Sequence, residues 1–224
     1  MQILLENITK QYKSESGISN LVLNDISLEI WKRDMIAITG KSGSGKTSLL
    51  RILGLLDPLF TGKYYFNERV IVPRKDREMS RIRNEKIGFV SQDFSLILQM
   101  NVYDNIAVPI YLAKKKFSSL KNGVLEKAYQ LGIGHLLKEP VKNLSGGEQQ
   151  RVAIARALIM NPDIILADEP TGALDRKTSE KIMELLMDIN RSGTTIVIVT
   201  HDSEVAALCR REYHLEDGKI LLGR

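Results

Sequence analysis

The sequence predicts an α/β fold with a mainly parallel central sheet, and three observations carry that prediction. Short apolar runs at 35–39 (MIAIT), 87–90 (IGFV), 164–168 (IILAD) and 194–200 (TTIVIVT) are β-branched and lack polar alternation, as strands buried on both faces are. Helical patterns separate these runs, as crossovers between parallel strands require. The first run leads straight into the glycine-rich stretch GKSGSGKT and then a leucine-rich helical pattern, a strand–loop–helix order.

The first thirty residues pattern differently. Near SLEI (27–30) apolar and polar positions alternate, with Ile26, Leu28 and Ile30 on one face, as in a half-exposed antiparallel strand. YYFNERVIV (64–72) is expected to form a hairpin turning at Asn67–Glu68, and EYHLEDGKILL (212–222) a hairpin turning at Asp217–Gly218. An N-terminal antiparallel β sub-sheet is therefore expected beside the parallel core. Residues 94–159 hold few strand signals. VYDNIAVPIYLAKK, LKNGVLEKAYQLGI and GGEQQRVAIARALIM carry helical patterns, so a helical insertion within one folding unit of 1–224 is expected.

At 224 residues the chain is long enough to bury a sizeable core. Its 32 basic and 27 acidic residues leave a net charge of +5, which fits a polyanionic ligand but also an ordinary solvated surface. No arginine-rich tract interleaves with aromatics, so no nucleic-acid partner is expected. The single cysteine, Cys209, cannot form an internal disulfide and reads as a small buried or half-buried apolar residue of a reducing compartment. No apolar run approaches the ~18–20 residues that span a bilayer, and the N-terminus does not read as a signal peptide. A cytoplasmic location is expected, with any membrane part supplied by a partner.

The glycine-rich stretch matches G-x-x-x-x-G-K-[ST]. It runs Gly40, Lys41, Ser42, Gly43, Ser44, Gly45, Lys46 and Thr47, then enters the helix at Ser48. Glycines allow a tight turn and bring backbone N–H groups close to phosphate oxygens. A helix starting at the loop points its positive end at the anion. Lys46 is placed to reach β- and γ-phosphates, and the Thr47 hydroxyl to bind Mg²⁺. The fold expected is thus a P-loop NTPase core that holds a nucleotide triphosphate tail and Mg²⁺.

IILADEP ends a buried run with Asp168 and Glu169. Ligands of parallel α/β sheets bind beyond the C-terminal strand ends, so both acids are expected near the phosphates. Asp168 suits Mg²⁺, directly or through water. Glu169 suits the attacking water, as base or polariser. A purely structural acid pair is the other reading, and four apolar residues leading into the acids weigh against it.

The stretch LSGGEQQRVAIARALIMNPDIILADEPTGALD (144–175) closely resembles the signature-to-Walker-B segment of the ATP-binding cassette (ABC) family. The resemblance covers nearly the whole chain, with every motif in the family's order. QYKSESGISNLVLNDISLEI (11–30) is similar to the family's adenine-contacting start, GFVSQDFSL (88–96) to its glutamine loop, and VTHD (199–202) to its histidine switch. On its own residues, SGGEQQR reads either as a helix N-cap at Ser145 or as a second anion site. The resemblance implies that two chains pair head to tail and that Ser145, Gly146 and Gly147 act on the nucleotide of the other chain. It also implies that Gln92 reaches Mg²⁺ or the attacking water, that His201 contacts the γ-phosphate and fixes Glu169, and that Asp175 communicates between the cassettes. Tyr12 resembles the aromatic that stacks on adenine, although a loop tyrosine at the surface is the bland alternative. His135 and His214 read as structural or surface residues. Ser91, before Gln92, departs from the aromatic that many relatives carry there.

RNEKIGFVSQDFSLILQMNVYDNIAVPIYL (83–112), LGLLDPLFTGKYYFN (53–67) and DEPTGALD (168–175) resemble the branch of the family serving lipoprotein release, macrolide export and antimicrobial-peptide resistance. The resemblance implies a stand-alone ATPase subunit bound to the inner face of the membrane through an integral permease subunit, powering export or extraction. The alternative is a regulatory module whose ATP-driven closing signals through a membrane partner without moving cargo.

Overall fold

The apolar runs 35–39, 87–90, 164–168 and 194–200 become neighbouring strands of one sheet. In the computed structural model, which describes residues 1–13, 19–72, 76–113 and 117–223, they are β3 (Met35–Thr39), β6 (Ile87–Val90), β7 (Ile164–Asp168) and β8 (Thr195–Val199). The sheet runs β10-β9-β3-β8-β7-β6, where β9 is Arg211–Glu216 and β10 is Lys219–Leu222. All its pairings are parallel except the edge pair β9–β10. The Asp217–Gly218 turn of that edge hairpin has both residues at positive φ, 48° and 71°.

Why these runs lack alternation is visible in their packing. Met35, Ala37, Ile165, Ala167, Ile196 and Ile198 face one apolar cluster, while Ile36, Ile38, Ile164, Leu166, Val197 and Val199 face another. Period-two side chains thus feed two cores at once, and each fully buried aliphatic contributes about 1.5–3 kcal/mol.

A second, antiparallel sheet has the order β2-β1-β4-β5, with β1 Ile3–Lys13, β2 Ser19–Ile30, β4 Thr61–Phe66 and β5 Arg69–Ile71. Ile26, Leu28 and Ile30 are buried on its inner face, against the same cluster as α1 (Lys46–Leu53). Asn67 and Glu68 make the expected turn, both at positive φ. Residues 14–18, part of the stretch resembling the adenine-contacting start, lie outside the described residues.

The helices are α1, α2 (Asp76–Lys86), α3 (Val102–Leu112), α4 (Phe117–Gln130), α5 (Gly146–Leu158), α6 (Arg176–Arg191) and α7 (Ser203–Ala207). Only Met79 of α2 is buried, so this charged helix had no apolar period to announce it. The leucine-rich pattern after the phosphate loop stops sooner than its sequence suggests. α1 ends at Gly54, where a side-chain carbon would overlap the Phe89 ring at 1.9 Å. Helix α3 carries Pro109 inside it and ends at Leu112; the Lys114 and Lys115 of its predicted pattern lie outside the described residues. Cys209 is buried, as read from the sequence, and burial together with the Glu212 charge pushes its thiol up to about 12.

Candidate functional site

Four adjacent parallel strands end at one edge of the sheet, and the residues just beyond them converge. The loop after β3, Gln92 after β6, Asp168 and Glu169 at the end of β7, and His201 after β8 all line one cleft of about 600 Å³. This is where a parallel α/β sheet binds its ligand.

The loop is built for an anion. Gly45 is the N-cap of α1 at φ 103°, and no side chain caps the helix, so its first N–H groups remain available. A side chain at Gly45 would crowd the Val22 carbonyl at 2.9 Å, and one at Gly40 would overlap the Leu215 carbonyl at 2.2 Å. Lys46 Nζ donates to the carbonyls of Gly40 (2.7 Å) and Lys41 (2.8 Å), which hold the ammonium over the loop. Among the described residues the Ser44 hydroxyl is buried without a partner. An uncapped helix end, a poised ammonium and an orphaned hydroxyl fit a polyphosphate.

The Thr47 hydroxyl donates to Asp168 Oδ2 at 3.3 Å. Burial raises the Asp168 carboxyl above its ordinary range and the Glu169 charge adds to this, partly offset by Thr47, Lys46 and Arg51. Among the described residues no three His, Cys, Asp or Glu side chains form a metal cage. An all-oxygen set of hydroxyl, carboxylate and the Gln92 amide instead fits Mg²⁺, which keeps waters and takes its remaining ligands from substrate phosphates.

Glu169 sits at φ 45° and its N–H donates to Val199 O at 2.9 Å, so the backbone is turned sharply at the strand end. Its carboxylate is tied down on both oxygens. Oε1 accepts the His201 backbone N–H at 3.0 Å and lies 2.6 Å from His201 Nδ1; Oε2 accepts from the Thr200 hydroxyl at 3.1 Å. His201 is exposed, and Glu169 is mostly covered. Gln92 packs against Gly172, where an added carbon would come within 3.1 Å of its amide nitrogen.

The loop after Gln92 is held from a distance. Phe94 and Ser95 both have positive φ, and Arg156 of α5 donates to their carbonyls at 2.9 and 2.6 Å. Ser91 joins this turn by donating to Ser95 Oγ at 2.8 Å. A small hydroxyl at this position thus has a local partner.

Ser145, Gly146, Gly147 and Asp175 do not line the cleft. Ser145 caps α5 in a reciprocal capping box, its N–H and hydroxyl donating to Glu148 Oε2 at 2.8 and 2.7 Å. Asp175 caps α6 by accepting from the Thr178 N–H and hydroxyl at 3.0 and 2.6 Å. Within one chain Ser145 and Asp175 start helices, and Gly146 and Gly147 open the first turn of α5. Tyr12 stands beside the cleft, its hydroxyl 3.3 Å from Ser48 Oγ.

Three contributors escaped the sequence reading. Val22 enters because β2 carries one extra residue opposite the Lys10–Gln11 step, a bulge that faces Val22 toward Gly45. Thr200 ended an apolar run and its hydroxyl was the available signal. Arg156 lies 62 residues from Phe94 and had none.

The ABC transporter family model matches residues 23–172. The macrolide export ATP-binding/permease proteins MacB of Campylobacter jejuni and Marinobacter nauticus are 42% and 40% identical over 98% of this chain. The chain spans about a third of the length of these curated relatives. Among solved structures, a dimeric bacterial ABC transporter cassette is 40% identical with TM-score 0.88, covering 97% of this chain and 96% of that one. A dimeric post-hydrolysis state of the same cassette, bound to ADP and Pi, has TM-score 0.90, 38% identity and coverage of 99% and 98%.

Proposed function

The chain belongs to the ABC transporter family as an ATP-binding, ATP-hydrolysing cassette, and from that premise we propose that it powers export or extraction through an integral membrane permease. The observation that carries the reading is the convergence on one cleft of the loop 40–48, Gln92, Asp168, Glu169 and His201. We assign the loop N–H groups and Lys46 to the phosphates. Glu169 takes the proton of, or polarises, the attacking water, while His201 and Thr200 keep its carboxylate aimed. Thr47, Asp168 and Gln92 would hold Mg²⁺, which supplies charge neutralisation at the phosphates when bound. Catalysis in such a site is positioning and charge stabilisation.

Ser145–Gly147 stand outside the cleft of their own chain. We assign them to the nucleotide of a second copy in a head-to-tail dimer, with Asp175 at the contact between copies. We read residues 94–159 as the helical sub-domain that meets the permease. No helix of the described residues is long and apolar enough to cross a membrane, so the inner-face location we propose depends on that partner. The cargo we propose is of the macrolide, antimicrobial-peptide or lipoprotein type, in keeping with the export relatives.

The test is capture of tagged Glu169→Gln protein from host membranes with ATP present, identifying co-purifying chains by mass spectrometry. A permease with a large extracytoplasmic domain, whose complex with the unsubstituted chain hydrolyses ATP faster when cargo is added, is the expected result. A many-helix importer permease contradicts the export reading. ATPase that ignores cargo, with a permease recovered, favours the signalling alternative.

A further inference from the structure

A lysine and an aspartate occupy an unexpected place behind Tyr12. Lys10 is 2% exposed, and its ammonium donates to Asp57 Oδ1 and to Leu59 O, each at 2.7 Å. Asp57 also accepts the Leu59 N–H on Oδ1 at 3.0 Å and the Tyr12 hydroxyl on Oδ2 at 3.1 Å. Lys10 is buried and Asp57 is partly buried, and replacing such an ion pair by apolar residues is often neutral or stabilising.

Its geometry points at the Tyr12 ring. Lys10 and Tyr12 are two apart on β1 and project to the same face. Lys10 Nζ stands 4.5 Å from the ring centroid, covering one face with a cation. Tyr12 is 40% exposed, which leaves surface for a planar group. Its hydroxyl is shared between Ser48 in the first turn of α1 and Asp57 just past the end of that helix. The ring is therefore fixed relative to the helix whose start carries the phosphate loop.

We infer that Lys10 and Asp57 are positioning residues for base recognition: they latch Tyr12 so that its free face meets the purine in register with the phosphate loop. Lys10 holds Asp57, and Asp57 holds the hydroxyl. The cation behind the ring draws on its π electrons and suits the opposite face to an electron-rich base. This rests on the reading of Tyr12 as the adenine-stacking residue and adds what sets its orientation. The burial that would raise Asp57 is outweighed by Lys10, the Leu59 N–H and Tyr12, so the carboxyl is held below its ordinary range and stays charged at neutral pH.

The test compares affinity for ATP with affinity for inorganic tripolyphosphate, which has no base, by calorimetry on the full chain. Tyr12→Ala is expected to weaken ATP roughly ten-fold and leave tripolyphosphate unchanged. Asp57→Asn and Lys10→Met are expected to weaken ATP several-fold, spare tripolyphosphate, and add nothing in a Tyr12→Ala background. Tyr12→Phe leaves the Lys10–Asp57 pair whole and removes only the hydroxyl's contacts with Asp57 and Ser48, so it decides the matter where the other variants fold poorly; a smaller loss, again for ATP alone, is expected. If Tyr12→Ala does not alter ATP binding, the stacking reading fails and the latch with it. If Tyr12→Ala acts but Tyr12→Phe and Asp57→Asn do not, the latch alone is overturned. Equal losses for ATP and tripolyphosphate make the pair structural and also overturn it.

Discussion

His201 Nδ1 lies 2.6 Å from Glu169 Oε1, and the same oxygen accepts the His201 backbone N–H at 3.0 Å. One residue thus holds the carboxylate twice, once through its ring and once through its main chain. His201→Ala removes only the first contact, and the Thr200 hydroxyl still holds the other oxygen. Hydrolysis, followed by phosphate release, is expected to fall about a hundred-fold while ATP affinity changes little. An affinity loss as large as the rate loss would place His201 in binding rather than in aiming Glu169.

Lys46 tests the phosphate loop. Its ammonium is held by two loop carbonyls. Lys46→Ala should weaken ATP and tripolyphosphate alike by about ten- to a hundred-fold, the scale of lost charged hydrogen bonds. Unchanged affinity in a titration would remove the loop from the site.

Arg156 tests whether the loop after Gln92 must be held in place. Its two bonds to Phe94 and Ser95 carbonyls need a planar fork, which lysine cannot supply. Arg156→Lys is expected to cost about 1–3 kcal/mol of stability. Hydrogen exchange should quicken across 91–97, and hydrolysis should fall with ATP affinity retained. Unaltered exchange there would show that the loop holds itself.

Asp57 gives a pH signature. Its folded carboxyl is held below its unfolded value, so the stability it contributes is present above the unfolded pKa and is lost as pH falls through the folded one. Asp57→Asn should be less stable than wild type near pH 7 by about 3 kcal/mol, since Lys10 loses its counter-charge. The two denaturation profiles should converge as pH falls below ~4. Parallel profiles down to pH 3 would show that the carboxyl carries no charge-dependent role.

What the sequence made legible was local or strongly patterned. The hairpin turns at Asn67–Glu68 and Asp217–Gly218 follow from Asn67, Asp217 and Gly218, residue types that accept positive φ; Glu68 adopts positive φ beside Asn67. The strands feeding two cores show as runs without alternation, and the loop 40–48 shows by spacing. Contacts between distant segments left no mark. Lys10 and Asp57 are 47 residues apart, and the stretch 53–67 that holds Asp57 gives no hint of the pairing. Val22 reaches the cleft through a bulge that only pairing reveals. The resemblance marks Asp175 as a contact between cassettes, and the structure adds that it caps α6 through Thr178, a local role that the helix directly after it could have signalled.

If ATP is bound between the cleft of one chain and the Ser145–Gly147 helix end of another, nucleotide must hold the two chains together until Glu169 permits its hydrolysis. Sedimentation of Glu169→Gln protein with and without ATP tests this most directly. Single chains without nucleotide and a stable pair with ATP are expected, the pair being lost when Ser145→Arg is added. Single chains that persist with ATP bound and uncleaved would contradict it.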